Sequence, residues 1–122
     1  MEALLEKRRQ WIERCLTFGG SYEDYPFGDD SWAVIRRLDT RKGFAFLYFR
    51  EGAVWMNLKT DPAEGDFLRQ VWPAVRPAYH MNKTHWISVV LDGSIPEEEI
   101  LGMIARSHAL TGPGGRKPSR RT

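Results

Sequence analysis

Pro73-Ala-Val-Arg-Pro-Ala-Tyr-His-Met-Asn-Lys-Thr-His-Trp-Ile-Ser-Val-Val-Leu-Asp-Gly93 is the stretch on which the fold turns. Its second half has the β-branched and aromatic content of a strand, and Asn82-Lys83-Thr84 before it reads as a tight turn. Two of the three histidines, His80 and His85, lie here among Arg76, Tyr79, Asn82, Lys83 and Trp86. Polar donors gathered between two structured runs are how surface sites are commonly built. The same donors also satisfy backbone groups at a difficult corner. Read as extended, residues 79–81 put Tyr79 and Met81 on one face and His80 on the other, so the cluster does not converge as a whole. The expected grouping is His80, Asn82, Lys83 and His85 around the turn, anchored by Tyr79 or Trp86.

Working outward, Leu4, Leu5, Trp11, Ile12, Cys15 and Leu16 fall on one helical stripe, predicting a helix over 2–17 that Gly19-Gly20 ends. Residues 21–31 read as an acidic link, with Pro26 and Gly28 opposing regular structure and Tyr25 and Phe27 packed inward. Three strands follow: Trp32 to Leu38, Phe44 to Phe49 and Ala53 to Lys59. Val54, Met56 and Leu58 share one face of the third, whereas the second is apolar on both faces. Asp61-Pro62-Ala63-Glu64 has the form of a capping box opening a short helix whose apolar face is Phe67, Leu68 and Val71. Ser94-Ile95-Pro96-Glu97 repeats that spacing before a helix reaching about residue 110. Glu97 to Glu99 suit its positive end, and Ile100, Leu101, Ile104, Ala105 and His108 form its packed side. The expected fold is therefore α+β, a two-layer α/β domain. Its element order is α-β-β-β-α-β-β-α, with a five-stranded antiparallel sheet and helices on one face.

Charge divides the chain. The formal +2 of the 122 residues splits into −2 over residues 1–111 (14 basic, 16 acidic) and +4 over residues 112–122. The first span is read as one domain and the second as a flexible basic tail carrying Arg116, Lys117, Arg120 and Arg121. With 42% hydrophobic and 12% aromatic residues, the domain has the means to build a core. Cys15 is the lone cysteine, which excludes an intrachain disulfide and fits a buried apolar role. No apolar run is long enough to cross a bilayer, and the charged N-terminus does not resemble a signal peptide. A cytoplasmic protein with no membrane partner is expected.

Catalytic signatures are thin. The sequence has no Gly-x-Ser-x-Gly elbow, no Walker loop and no cysteine cluster, so neither an enzyme, a cofactor nor a metal site is expected. Ligand binding suits the residues better. Arg76, Lys83 and Lys59 are charged donors, Asn82 is a neutral one, and Tyr79 and Trp86 offer flat surfaces.

The run Val75 to Trp86, followed by Leu91-Asp-Gly-Ser-Ile-Pro96, resembles the most recognisable motif of the MmcQ/YjbR family. The resemblance extends back through Glu23-Asp-Tyr-Pro-Phe-Gly28 and Asn57-Leu-Lys-Thr-Asp-Pro62, covering about residues 2–111. It implies a frataxin-like or secretion-chaperone-like α/β fold and a double-wing, DNA-binding surface. Lys59, Arg76, Tyr79, His80, Asn82, Lys83, His85 and Trp86 would carry over. Arg36-Arg37 and Arg41-Lys42 flank the first hairpin, where they could lie across a phosphate backbone while the tail adds reach. The expectation is non-enzymatic, weak, salt-sensitive DNA binding. The alternative is a protein-interaction or chaperone-like adaptor, with a separate protein or a second copy in a homodimer as partner, using an exposed sheet face around Trp55 or the Phe44 to Phe49 strand.

Overall fold

The computed structural model describes residues 1–115, so Arg116, Lys117, Arg120 and Arg121 of the expected tail lie outside the described residues. The elements run α1 (Glu2–Leu16), β1 (Ser21–Asp24), β2 (Trp32–Arg37), β3 (Gly43–Arg50), β4 (Ala53–Lys59), α2 (Pro62–Val71), β5 (Val75–Pro77), β6 (Trp86–Val90) and α3 (Glu97–Leu110). All strand pairs are antiparallel, in the order β1-β2-β3-β4-β6-β5. The chain leaves β4 through α2, forms the edge strand β5, and returns to insert β6 between them.

The α+β class and the one-sided helical layer are as expected, but the sheet has six strands, not five. Ser21–Asp24, expected as a link, pairs with β2 in the register Ser21↔Arg37 to Asp24↔Val34. It carries no apolar alternation because it is an edge strand, half-buried along its whole length. Ion pairs hold it in place: Glu23 to Arg9 of α1 at 2.5 Å, and Asp24 to Arg36 of β2 at 2.8 Å. Tyr25 packs against the core as expected, whereas Phe27 is exposed.

Alternation along the strands separates two faces. Ala33, Ile35, Ala45, Leu47, Val54, Met56, Leu58, Ile87 and Val89 form a core with Trp11, Ile12 and Cys15 of α1, Leu68 of α2, and Ile100, Met103 and Ile104 of α3. Arg8 is the exception on the α1 stripe. It is buried, donates to the carbonyls of Asp30 and Ser31 at 2.8 and 3.3 Å, and lies over the Phe49 ring. The α2 and α3 surfaces differ from the helical-stripe reading, since Phe67, Val71 and Ala105 are exposed. Neither predicted cap bond forms. Asp61 sits at the N-cap of α2 without a side-chain cap bond, and Glu64 pairs with Arg106 instead. The N-cap of α3 is Pro96, because the Ser94 hydroxyl donates to Asp92 at 2.7 Å.

A bulge in β3 explains how α3 is seated. Ile35 pairs with Ala45 while Arg36 pairs with Gly43, which leaves Phe44 as the extra residue with its ring in the core. Across the sheet, the β3–β4 ladder starts at Ala45↔Leu58. Ser107 of α3 takes the next rung. Its buried hydroxyl accepts from the Lys59 N–H at 2.9 Å and donates to the Phe44 carbonyl at 2.7 Å. A small hydroxyl in the last turn of α3 thus replaces a strand-to-strand bond. Ser107→Ala strands both backbone groups and should cost about 1–3 kcal/mol in a urea unfolding titration. A loss below the error of that titration would show that the rung is not needed.

Candidate functional site

The face opposite the helices is not an open sheet. Trp32, Val34, Phe46, Tyr48, Trp55, Asn57, Lys59, Trp86 and Ser88 project from it by alternation, and residues 78–85 fold back across it. Residues 79–81 are therefore a turn and not extended. His80 has φ of 61°, a left-handed conformation that reverses the chain. The reversal lays Tyr79 on the sheet. Its ring stacks 5.6 Å from Tyr48 and 6.5 Å from Trp32, which itself stacks 4.0 Å from Tyr48. Trp86 meets Phe46 edge-on at 5.5 Å.

A buried polar network holds this loop down. The Asn57 carboxamide oxygen accepts from the Tyr48 hydroxyl at 2.7 Å and from Ser88 at 2.6 Å, while its NH₂ donates to the Tyr79 carbonyl at 2.9 Å. The Tyr79 N–H donates to Ser88 Oγ at 2.9 Å, so both backbone groups of Tyr79 are tied to strand side chains. Burial, the largest influence, pushes the Tyr48 phenol up to about 12, keeping it a donor. Asn82 has a corner role. Its carboxamide oxygen accepts from the N–H groups of Thr84 and His85 at 2.9 and 3.0 Å, which shapes the turn into β6.

The anticipated site residues separate into two groups by their partners. Arg36 is engaged by Asp24, and its Nη1 donates to the Arg41 carbonyl at 3.0 Å. Arg37 pairs with Asp39 at 2.8 Å and donates to the His108 carbonyl at 2.6 Å. The Arg37 hydrogen bond holds the Asp39 carboxyl at about 2. Burial first, and then the Arg37 charge, lowers the pKa of His108. Arg41, Lys42, Lys59, Arg76 and Lys83, by contrast, have no carboxylate within 4.0 Å among the described residues. His80, Arg76 and Lys83 share one cleft, with Tyr79 on its wall. Arg41, Lys42 and Lys59 lie at the same sheet end as His85, since Arg36↔Gly43, Ala45↔Leu58 and Lys59↔Trp86 fix the alignment.

Two features escaped the sequence reading. Arg50, at the end of β3, joins the cleft with its guanidinium 4.2 Å over Tyr79 and 4.6 Å over Trp55. Trp55, expected as an exposed partner surface, is 2% exposed because the arginines and the loop cover it. The signal that was present is the polar interruption of apolar strands at Tyr48, Asn57 and Ser88, all on one face. Among the described residues no three metal-ligating side chains converge, and no helix is long and apolar enough to cross a membrane.

A six-stranded antiparallel sheet, helices on one side and an aromatic loop rimmed by cations on the other define a small α+β domain. The chain belongs to the YjbR family, whose model matches residues 16–110. It is 46% identical over 103 residues to YyaQ of Bacillus subtilis, spanning 75% of this chain and 86% of that protein. It is 30% identical over 104 residues to YbdF of Escherichia coli O157:H7, spanning 85% and 75% respectively. A crystal structure of a Pseudomonas syringae protein matches with a TM-score of 0.77 at 32% identity, covering 86% of this chain and 98% of that one. A Deinococcus radiodurans protein matches at 0.74 and 31%, covering 92% and 83%.

Ser88→Ala removes the acceptor of the Tyr79 N–H. Hydrogen exchange at that amide should accelerate about tenfold or more, while the mid-strand amides of β3 keep their rates. Unchanged exchange at Tyr79 would mean the stacking alone pins the loop. His108 sets a pH dependence. Its folded pKa lies below the unfolded 6.5, so the unfolded chain binds more protons, and stability falls as pH drops below 6.5 toward the folded value. His108→Gln should flatten that part of the urea-midpoint profile, and an unchanged slope would assign it to other groups.

Proposed function

We propose that the chain is a non-enzymatic DNA-binding protein that grips the phosphate backbone with the sheet end formed by the 38–42 turn, Lys59 and His85 at the entry to β6. The observation that supports this reading is the distribution of charge partners. Arg9, Arg14, Arg36, Arg37, Arg50, Arg69 and Arg106 each have a carboxylate within 4.0 Å. Among the described residues, the cations left without one at this sheet end are Arg41 and Lys42 at the hairpin and Lys59 beside it. The net acidity of residues 1–111 is therefore a poor guide to this end of the molecule. Glu23 and Asp24 of the acidic stretch are occupied by Arg9 and Arg36, which reduces their repulsion of a duplex. Arg36 and Arg37, expected from sequence as contacts, enter this proposal as supports of the turn. Arg36 holds the Arg41 carbonyl, and Arg41 itself turns the chain at φ of 64°.

Backbone contacts of this kind give sequence-blind affinity that falls steeply with salt. The adaptor reading loses its Trp55 surface to burial, but it keeps a specific observation. An apolar groove of ≈490 Å³ is lined by Phe27, Trp32, Phe46, His80 and Met81, and Phe27 is 60% exposed beside it. Fluorescence anisotropy of the full chain on a short duplex, measured across a salt series, separates the two. Binding should weaken with salt, and Arg41→Ala with Lys42→Ala should reduce the log–log slope by about 2. Equal slopes would remove the hairpin from the interface. A chain that fails to bind duplex at low salt would return the groove, and a protein partner or second copy, to first place.

A further inference from the structure

We propose that the cleft between Arg50, Arg76 and Lys83 is a binding site for a small phosphate monoester, distinct from the hairpin contact with DNA. The cleft measures ≈330 Å³ and is lined by Arg50, Trp55, Arg76, Tyr79, His80 and Lys83, with Pro77 and Ala78 completing the wall. Among the described residues no carboxylate lines it. The neighbouring groove, which shares Trp55 and Arg76, holds Asp92 and the exposed Glu51, whose carboxylate meets the Arg50 Nη2 at 3.5 Å.

Arg50 and Arg76 are held in a way that asks for an anion. The Trp55 indole carries both guanidiniums, Arg50 at 4.6 Å and Arg76 at 5.4 Å from its ring centroid, and Tyr79 takes Arg50 at 4.2 Å. Each contact is favourable singly, but together they bring two positive charges to one ring. Glu51 pairs with Arg50, but among the described residues no carboxylate lies within 4.0 Å of Arg76 or Lys83. Among the described residues, the Trp55 Nε1–H of that same indole is buried without an acceptor. An unpaired buried donor costs free energy that a ligand oxygen would recover. Because the atom is buried, a ligand oxygen reaches it only once the side chains around it move.

Charge and shape select the ligand class. A phosphate monoester is close to a dianion at neutral pH and offers three terminal oxygens, suited to two guanidinium forks and an ammonium. A monocarboxylate would leave most of the cationic charge unbalanced. The volume is at the lower end for small-molecule clefts, enough for a phosphate and a compact substituent. Tyr79 and His80, with rings 4.0 Å apart and tilted by 46°, offer that substituent an aromatic lining. The same chemistry is found on a free metabolite-sized phosphate and on the 5′-terminal phosphate of a nucleic-acid strand.

Calorimetric titration of the full chain with phenyl phosphate tests the site, with the indole N–H resonances followed by NMR. Saturable one-to-one binding is expected, with one indole N–H signal shifting in step and lost as a responder in Trp55→Phe. Arg76→Ala and Lys83→Ala, both at exposed positions, should each weaken binding by about tenfold or more. Arg41→Ala with Lys42→Ala should leave it unchanged, and benzoate should bind at least about tenfold more weakly. Absence of saturation, equal affinity in Arg76→Ala and Lys83→Ala, or benzoate binding as tightly would each overturn the proposal. Single-stranded oligonucleotides with and without a 5′-phosphate distinguish the two sources. Preference for the phosphorylated end over phenyl phosphate assigns the site to nucleic-acid termini, and equal affinity assigns it to free phosphates. Retained phenyl phosphate binding in a chain that ignores duplex DNA would defeat the hairpin reading and leave this one standing.

Discussion

Asn57 is the residue on which the second face of the sheet depends. It is wholly buried at the centre of β4, where a carboxamide is costly unless every polar atom is satisfied. Two hydroxyls from flanking strands and a carbonyl from the crossing loop satisfy it together. The orientation of the amide follows from those partners: its oxygen faces the donors and its nitrogen faces the carbonyl. The network aligns β3, β4 and β6 and, through Tyr79, closes a loop over the sheet. Without that closure Tyr48 and Trp55 would face water, and no cleft would exist between Arg50 and Arg76.

Electrostatic pairing then decides what the surface offers. Sequence presents Arg36, Arg37, Arg41 and Lys42 as one basic hairpin. In the fold, Asp24 and Asp39 occupy the first two at 2.8 Å each, so the hairpin's available charge sits at its tip. The acidic stretch is altered in the same way, because Arg9 and Arg36 take up two of its carboxylates. Exposed pairs such as these add little stability, but they determine which charges remain for a partner. Counting charges along a chain therefore overestimates both the basic patch and the acidic repulsion.

The parts of the fold legible in advance were those with periodicity. Val54, Met56 and Leu58 declared their shared face through a repeat of two, and the α1 stripe declared itself through a repeat of three and four. The strand Ser21–Asp24 was not legible, since an edge strand with half-exposed side chains has no hydrophobic alternation to display. Capping-box spacing at Asp61 and Ser94 was present without the bonds. Glu64 found Arg106 and Ser94 found Asp92, contacts that compete directly with the caps. Of the candidate site, the turn at Asn82 and the anchoring of Tyr79 and Trp86 could be read from residue types. Arg50 could not, because it lies some thirty positions from the loop it meets, and nothing local marks that meeting.

The sequence by itself determined the class of fold, the helical side of the sheet, the turn before β6 and the family resemblance. Each rests on local pattern, where neighbours in the chain are neighbours in space. Tertiary structure alone decided that residues 79–81 turn at His80 instead of extending, and that Trp55 is buried. It also decided which arginines are already paired and that Arg50 and Arg76 meet over one indole. Those outcomes depend on strand register and on a loop crossing the sheet, and both are set by contacts between residues that the chain holds far apart.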